Sequence, residues 1–200
     1  MHSPEKVGKS MFDSNRFQRL QQAPLWDFAL TFYAQPGVEQ ACLVLQDSAG
    51  VDVCELLVHS WLYHYGLQVT PGALSMERKA RECWQQSVTA VLRQLRRDLK
   101  PQAAESEGIA QLRKTLQQAE LQAERENLQR WQHWILQTSE LNQRLTNCAI
   151  SKQDVAQWLQ SKLFSDGLAF DQVVVSPERE NVREAIAILA ERLDRYERPR

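Results

Sequence analysis

The sequence predicts an all-α protein: a helical bundle with one long helix and a small helical C-terminal appendage. Three observations carry this. Apolar residues recur at spacings of three and four through most of the chain, which is the period of a helix with one buried face. Cap and break signals bound those runs, among them Pro36-Gly37, Asp52, Gly66 and Thr70-Pro71. From Ile109 to Asn147 the chain carries neither proline nor glycine.

The elements follow in order. Residues 1–22 are polar and mixed, and read as a flexible N-terminal arm whose end is tethered by Phe12, Phe17 and Leu20. Pro24 suits the first position of a helix. The run Leu25 to Tyr33 that follows is apolar around much of its circumference, so its helix is expected to be largely buried. Pro36-Gly37 ends it. A second helix from Val38 to Gln46 places Val38, Ala41, Cys42 and Leu45 on one face, and Asp47-Ser48-Ala49-Gly50 is a turn. Asp52 with Glu55 three residues on has the form of a capping box. It opens a third helix that runs to Tyr65 and is closed by Gly66.

Thr70-Pro71 starts a fourth helix, expected to run to Leu99 with an inner stripe of Ala80, Trp84, Val88, Val91, Leu95 and Leu99. Residues 101–108 read as a loop. The long helix follows from Ile109 to Asn147, ~58 Å at 1.5 Å per residue, bent near Thr138-Ser139. Ser151 with Asp154 caps a short helix bearing Val155, Trp158, Leu159 and Leu163, and Ser165-Asp166-Gly167 turns the chain. Val173-Val174-Val175 has strand-like content without a second strand to pair with, so it reads as an extended segment. Ser176-Pro177 opens a last helix with Val182, Ala185, Ile186, Leu189 and Leu193 inward and Glu191 set four residues before Arg195. The expected division is an arm at 1–22, a helical domain at 23–148 and a helical appendage at 149–200.

Composition bounds the function. The chain has 200 residues, enough for one sizeable core, with 43% hydrophobic and 24% charged residues. A net charge of −1 argues against a dedicated nucleic-acid binder. No secretory signal and no run of about 20 apolar residues is present, so the expectation is a soluble cytoplasmic protein without a membrane segment. The four cysteines form no C-x-x-C pair and are expected to be reduced. There is no nucleophile elbow, no phosphate-binding glycine loop and no H-E-x-x-H zinc motif, and no cofactor is expected.

Charge is distributed unevenly. From Leu20 to Glu77 there is no lysine or arginine, and the acids Asp27, Glu39, Asp47, Asp52, Glu55 and Glu77 stand among the densest aromatic cluster of the chain. From Arg78 to Lys100 the sign reverses. This predicts an acidic helical block facing a basic helix, within the fold or across to a partner. Arg93, Arg96, Arg97 and Lys100 form two rows at helical spacing and are the leading candidate binding surface, because arginine forks suit carboxylate or phosphate. Trp134 sits off the apolar stripe of the long helix among polar residues and is a candidate protein-binding anchor. The partner expected is another protein. An RNA- or ribosome-associated factor using Arg93, Arg96 and Arg97 is a weaker alternative, to be recognised by a steep salt dependence.

An alternative is a small-molecule- or metal-dependent enzyme using a pocket lined by Asp27, Asp52, Glu55, Tyr63 and His64. Helix caps and dipoles account for most of its acids. His59 and His64 lie five apart, a spacing that points them to different faces, so no metal site is expected.

The block Leu25-Trp26-Asp27-Phe28-Ala29-Leu30, Tyr33, Pro36-Gly37-Val38-Glu39, Cys42-Leu43, Leu45-Gln46-Asp47, Gly50 and Asp52-Val53 resembles an uncharacterised family of small, mainly proteobacterial proteins with a conserved domain of unknown function. Trp84, Leu92-Arg93-Gln94-Leu95-Arg96-Arg97 and Ala119-Glu120-Leu121-Gln122-Ala123-Glu124-Arg125 extend the resemblance over residues 24–130. It implies a cytoplasmic bacterial protein and no particular activity, cofactor or catalytic residue. The expected function is a non-catalytic interaction or adaptor protein.

Overall fold

Asp52 starts the helix on which the rest of the fold is assembled. Its side chain accepts from the Cys54 and Glu55 backbone N–H groups at 2.8 and 3.3 Å, capping α4 (Val53–His64). Every α4 residue from Cys54 to His64 is buried. The expected capping box is only half formed, because the Glu55 carboxylate turns to Arg78 and His59 instead.

The computed structural model describes residues 14–137, 144–148, 155–164 and 178–196. Ahead of α4 lie α1 (Ser14–Gln21), α2 (Leu25–Tyr33) and α3 (Val38–Ala49). Of the tether residues, Phe17 and Leu20 are buried on α1, and Phe12 lies outside the described residues. Helix α2 is amphipathic rather than buried all round: Leu25, Phe28, Ala29 and Phe32 face the core while Leu30 is 52% exposed. The fully buried helix is α4, which makes contacts with both α2 and the long helix.

Two glycines set the turns around α3. Gly37 has φ +85° and its missing Cβ would lie 3.3 Å from Ile188 Cγ2; Gly50 has φ +65° in open space. Gly37→Ala is therefore expected to destabilise by about 1–2 kcal/mol through left-handed strain, plus the contact with Ile188. Gly50→Ala carries the strain alone. Urea midpoints of the two variants check this, with the Gly37 variant expected to unfold first.

After α4 comes β1 (Leu67–Val69), paired antiparallel with β2 (Leu145–Asn147) in the register Leu67↔Asn147, Gln68↔Thr146, Val69↔Leu145. This small ladder was not expected. It overturns the extension of the long helix to Asn147: α7 (Glu107–Leu136) starts at the Ser106 cap and ends at Leu136, ~45 Å at 1.5 Å per residue. The bend expected at Thr138-Ser139 lies outside the described residues, as do the caps at Ser151 and Ser176 and the segment 173–175.

The fourth helix is continuous but not uniform. It comprises α5 (Pro71–Trp84), a π turn (Gln85–Thr89) and α6 (Ala90–Asp98). A π turn holds one more residue than an α turn, so it shifts the buried face by about 100°. The expected inner stripe is broken past the turn for this reason: Val91 and Leu95 are each 47% exposed and Thr89 is buried instead, while Trp84, Val88 and Leu99 are half-buried and Ala80, ahead of the turn, is exposed off the Leu74–Glu77 face. Helix α6 and the first half of α7 form a hairpin without a fully buried side chain before Glu120.

The C-terminal helices α8 (Val155–Leu163) and α9 (Glu178–Arg195) complete the bundle. Val182, Ala185, Ile186, Leu189 and Leu193 point inward as expected, α9 packs along α3, and these residues share one core with α2 and α4. The Glu191–Arg195 pair forms at 2.6 Å.

Candidate functional site

The acidic and aromatic residues read as a possible pocket are distributed over separate places. Asp27 is exposed on α2. Asp52 caps α4. Glu55, His59 and Tyr63, at spacings of four, lie on one face of α4. Tyr63 and His59 meet the Trp158 ring with centroids 5.0 and 6.4 Å away. His64 lies on a different face, against Phe28, Tyr65 and Tyr196. Among the described residues no group of three His, Cys, Asp or Glu side chains is placed to hold a metal ion.

Glu55 is the centre of a buried ion cluster. Arg78 Nε donates to both of its oxygens at 2.8 Å, and Arg78 Nη2 also reaches the Lys162 carbonyl at 2.7 Å, so the cluster ties α4 to α5 and α8. His59 Nε2 stands 3.1 Å from Glu55 Oε1. Burial pushes the Glu55 carboxyl up, but hydrogen bonds and charge from His59 and Arg78 outweigh it and hold the group below the usual carboxylate range.

Beside the α4 cap is a second polar region. Burial raises the Asp52 carboxyl, against bonds from the Gln85 side chain and the Cys54 and Glu55 N–H groups. Asn127 is fully buried beside the Cys54 thiol, yet neither of its amide atoms reaches full hydrogen-bond geometry, and the same holds for the buried Thr89 hydroxyl. Burial pushes the Cys42 thiol up to about 12 and the Cys54 thiol well up, which disfavours the thiolate form in both.

The basic face of α6 is directed inward. Arg93 donates to Glu120 and Glu124 at 2.8 Å each, and Arg96 Nε donates to the other Glu120 oxygen. Arg97 pairs with Asp47 of α3 at 2.6 Å while remaining about half exposed, and Lys100 is exposed. The charge asymmetry is thus partly resolved within the fold, through Asp47–Arg97 and Glu55–Arg78. The sequence reading missed Glu120 and Glu124 as the acceptors of this face.

Trp134 is placed differently. It lines an open cleft of about 490 Å³ together with Arg81, Glu126, Gln129, Arg130, His133 and Gln137. It is half-buried rather than fully exposed, with the Trp131 ring edge-on at 5.7 Å and the Arg144 guanidinium 5.3 Å from its ring centroid. Arg130 lies 4.0 Å over the Trp84 ring and donates through Nε to Glu126 at 2.7 Å. Arg81 Nε is 2.8 Å from Glu77 Oε1, an ion pair without hydrogen-bond alignment. The sequence did carry a signal for these arginines: each stands four residues after a glutamate on its own helix.

Fold and site together define an all-α bundle with a surface cleft lined by arginine and tryptophan. The chain belongs to the family described as "Protein of unknown function (DUF2390)", whose model matches residues 24–131. No curated protein and no solved structure matches the chain. The family match ends at Trp131, so Trp134 lies just beyond it. No described helix is long and apolar enough to cross a membrane.

Proposed function

We propose that the protein is a non-catalytic, cytoplasmic interaction protein of bacteria, and that it docks a partner protein through the Trp134 cleft. The observation that carries this reading is the cleft itself: a tryptophan held by ring and guanidinium contacts on one side and open on the other. Such residues supply most of the binding energy in protein interfaces. The arginine face of α6 is a weaker candidate for partner or RNA contact, because Arg93 and Arg96 spend their forks on Glu120 and Glu124.

Trp134→Ala tests the reading. Loss of a tryptophan anchor costs about 2–4 kcal/mol of binding, a fall in affinity of roughly 30- to 900-fold. Quantitative capture from lysate of the source bacterium, comparing wild type with the variant, is expected to show a discrete protein retained by the first and lost with the second. The α-helical circular dichroism of the two proteins is expected to match. Equal retention by both overturns the docking surface.

A further inference from the structure

We infer that the Trp134 cleft recognises a pair of carboxylates, carried by an acidic linear segment of the partner whose apolar side chain rests on Trp134. The inference rests on the docking reading above and adds the chemistry of what is docked.

The two arginines of the cleft are built alike. Arg81 stands on α5 and Arg130 on α7, so they approach from different walls. Each is held through Nε by the glutamate four residues earlier, Glu77 and Glu126 respectively. Neither Nη group of either arginine makes a hydrogen bond among the described residues. Arg130 is further held flat by the Trp84 ring beneath it. A guanidinium tethered in this way has already lost much of its rotamer freedom, and its outer edge is a planar fork of donors. That edge matches a carboxylate bidentately, and little further ordering is needed on binding.

Charge in the cleft has one sign in excess. Arg81, Arg130 and Arg144, the last over the Trp134 ring, stand against Glu126 and the Glu77 carboxylate behind Arg81, three cations to two acids. Arg144 is itself directed at protein oxygens, donating to the Trp134 carbonyl at 2.7 Å and to Gln137 Oε1 at 3.2 Å. It therefore fixes the tryptophan rather than competing for the ligand. The Trp134 ring, which lines the same cleft as the two forks, offers a flat apolar surface for one side chain. Two forks on different walls of a short cleft suit two separate anionic groups. A nucleic-acid backbone needs a longer basic track than the residues lining this cleft form.

The experiment is selection from a displayed library of random dodecapeptides against the full-length protein, with affinities of the enriched peptides then measured by calorimetry. The expected peptides carry two acidic residues flanking an apolar one. Their binding falls at least tenfold with Arg81→Gln/Arg130→Gln, with Trp134→Ala, or when the peptide acids are replaced by their amides. Arg81→Lys/Arg130→Lys, which keeps the charge but not the fork, is expected to recover only part of the loss and guards against a folding defect in the glutamine variant. Peptides that depend on Trp134 but are indifferent to both arginine variants overturn the carboxylate chemistry and leave the docking reading standing. Absence of any Trp134-dependent peptide overturns both. A fluorescent oligoribonucleotide that binds more tightly than every peptide, and loses affinity with Arg81→Gln/Arg130→Gln, assigns the forks to phosphate and also overturns the proposal.

Discussion

Replacing Arg78 with leucine is expected to cost about 3–5 kcal/mol of folding stability, because it leaves the Glu55 carboxylate buried without its cation. The side chains of Arg78 and Glu55 are only 18% and 10% exposed, so solvent does little to compensate. The same arginine also holds the Lys162 carbonyl, and its loss frees α8 from α5. Urea unfolding of Arg78→Leu, Glu55→Gln and the double variant measures the coupling. The double variant is expected to be more stable than the sum of the single losses predicts, since removing both charges removes the uncompensated one.

The same cluster fixes a pH dependence. A carboxyl whose folded pKa is depressed contributes stability that is complete above its unfolded value, about 4.3 for glutamate. That stability is lost as pH falls through the folded value. Glu55 is depressed on balance, with His59 and Arg78 outweighing burial. The stability difference between wild type and Glu55→Gln is therefore expected to be largest at neutral pH and to shrink as the solution is made more acidic than the ordinary glutamate range. A difference that stays constant across that window contradicts the assignment.

The second large effect concerns the α6 face. Arg93→Glu/Arg96→Glu is expected to destabilise the protein by at least about 4 kcal/mol, because it sets two new carboxylates against Glu120 and Glu124. The Glu120 side chain is 8% exposed, and both arginines close on it. Arg97→Glu/Lys100→Glu is expected to change stability by about 1 kcal/mol or less, since the Arg97–Asp47 pair is about half exposed on both sides and screened by solvent. Comparison of urea midpoints separates the two pairs. A charge reversal of Arg93, Arg96 and Arg97 together, the test that the sequence alone would suggest for a binding surface, perturbs folding first and so does not isolate binding.

What was legible in the sequence was what depends on neighbours along the chain. The Asp52 cap, the Gly37 and Gly66 turns, the Glu191–Arg195 pair and the inward residues of α9 are all set by local spacing. What was missed depends on distance along the chain. Glu55 has the spacing of a capping-box glutamate, and only tertiary packing gives it Arg78, 23 residues away. The β1–β2 ladder joins segments three residues long, too short to register as strands without each other. The π turn at Gln85–Thr89 leaves no compositional mark, yet it moves Val91 and Leu95 out and Thr89 in. Of the candidate site, Trp134 was legible as a tryptophan off the apolar stripe. The glutamate four residues before each of Arg81 and Arg130 was legible too, but their sharing of one cleft was not, because the two arginines lie 49 residues apart in sequence.

The central claim is that contact with a partner takes place at the Trp134 cleft and not on the α6 face. Site-specific photo-crosslinking in cells of the source organism tests it directly, with a benzophenone side chain placed at Gln129 in the cleft or at Gln94 on α6, both exposed. A discrete crosslinked protein from position 129 that disappears with Trp134→Ala, and none from position 94, is the predicted result. A discrete product from position 94 with none from position 129 contradicts the account and returns the binding surface to the α6 face.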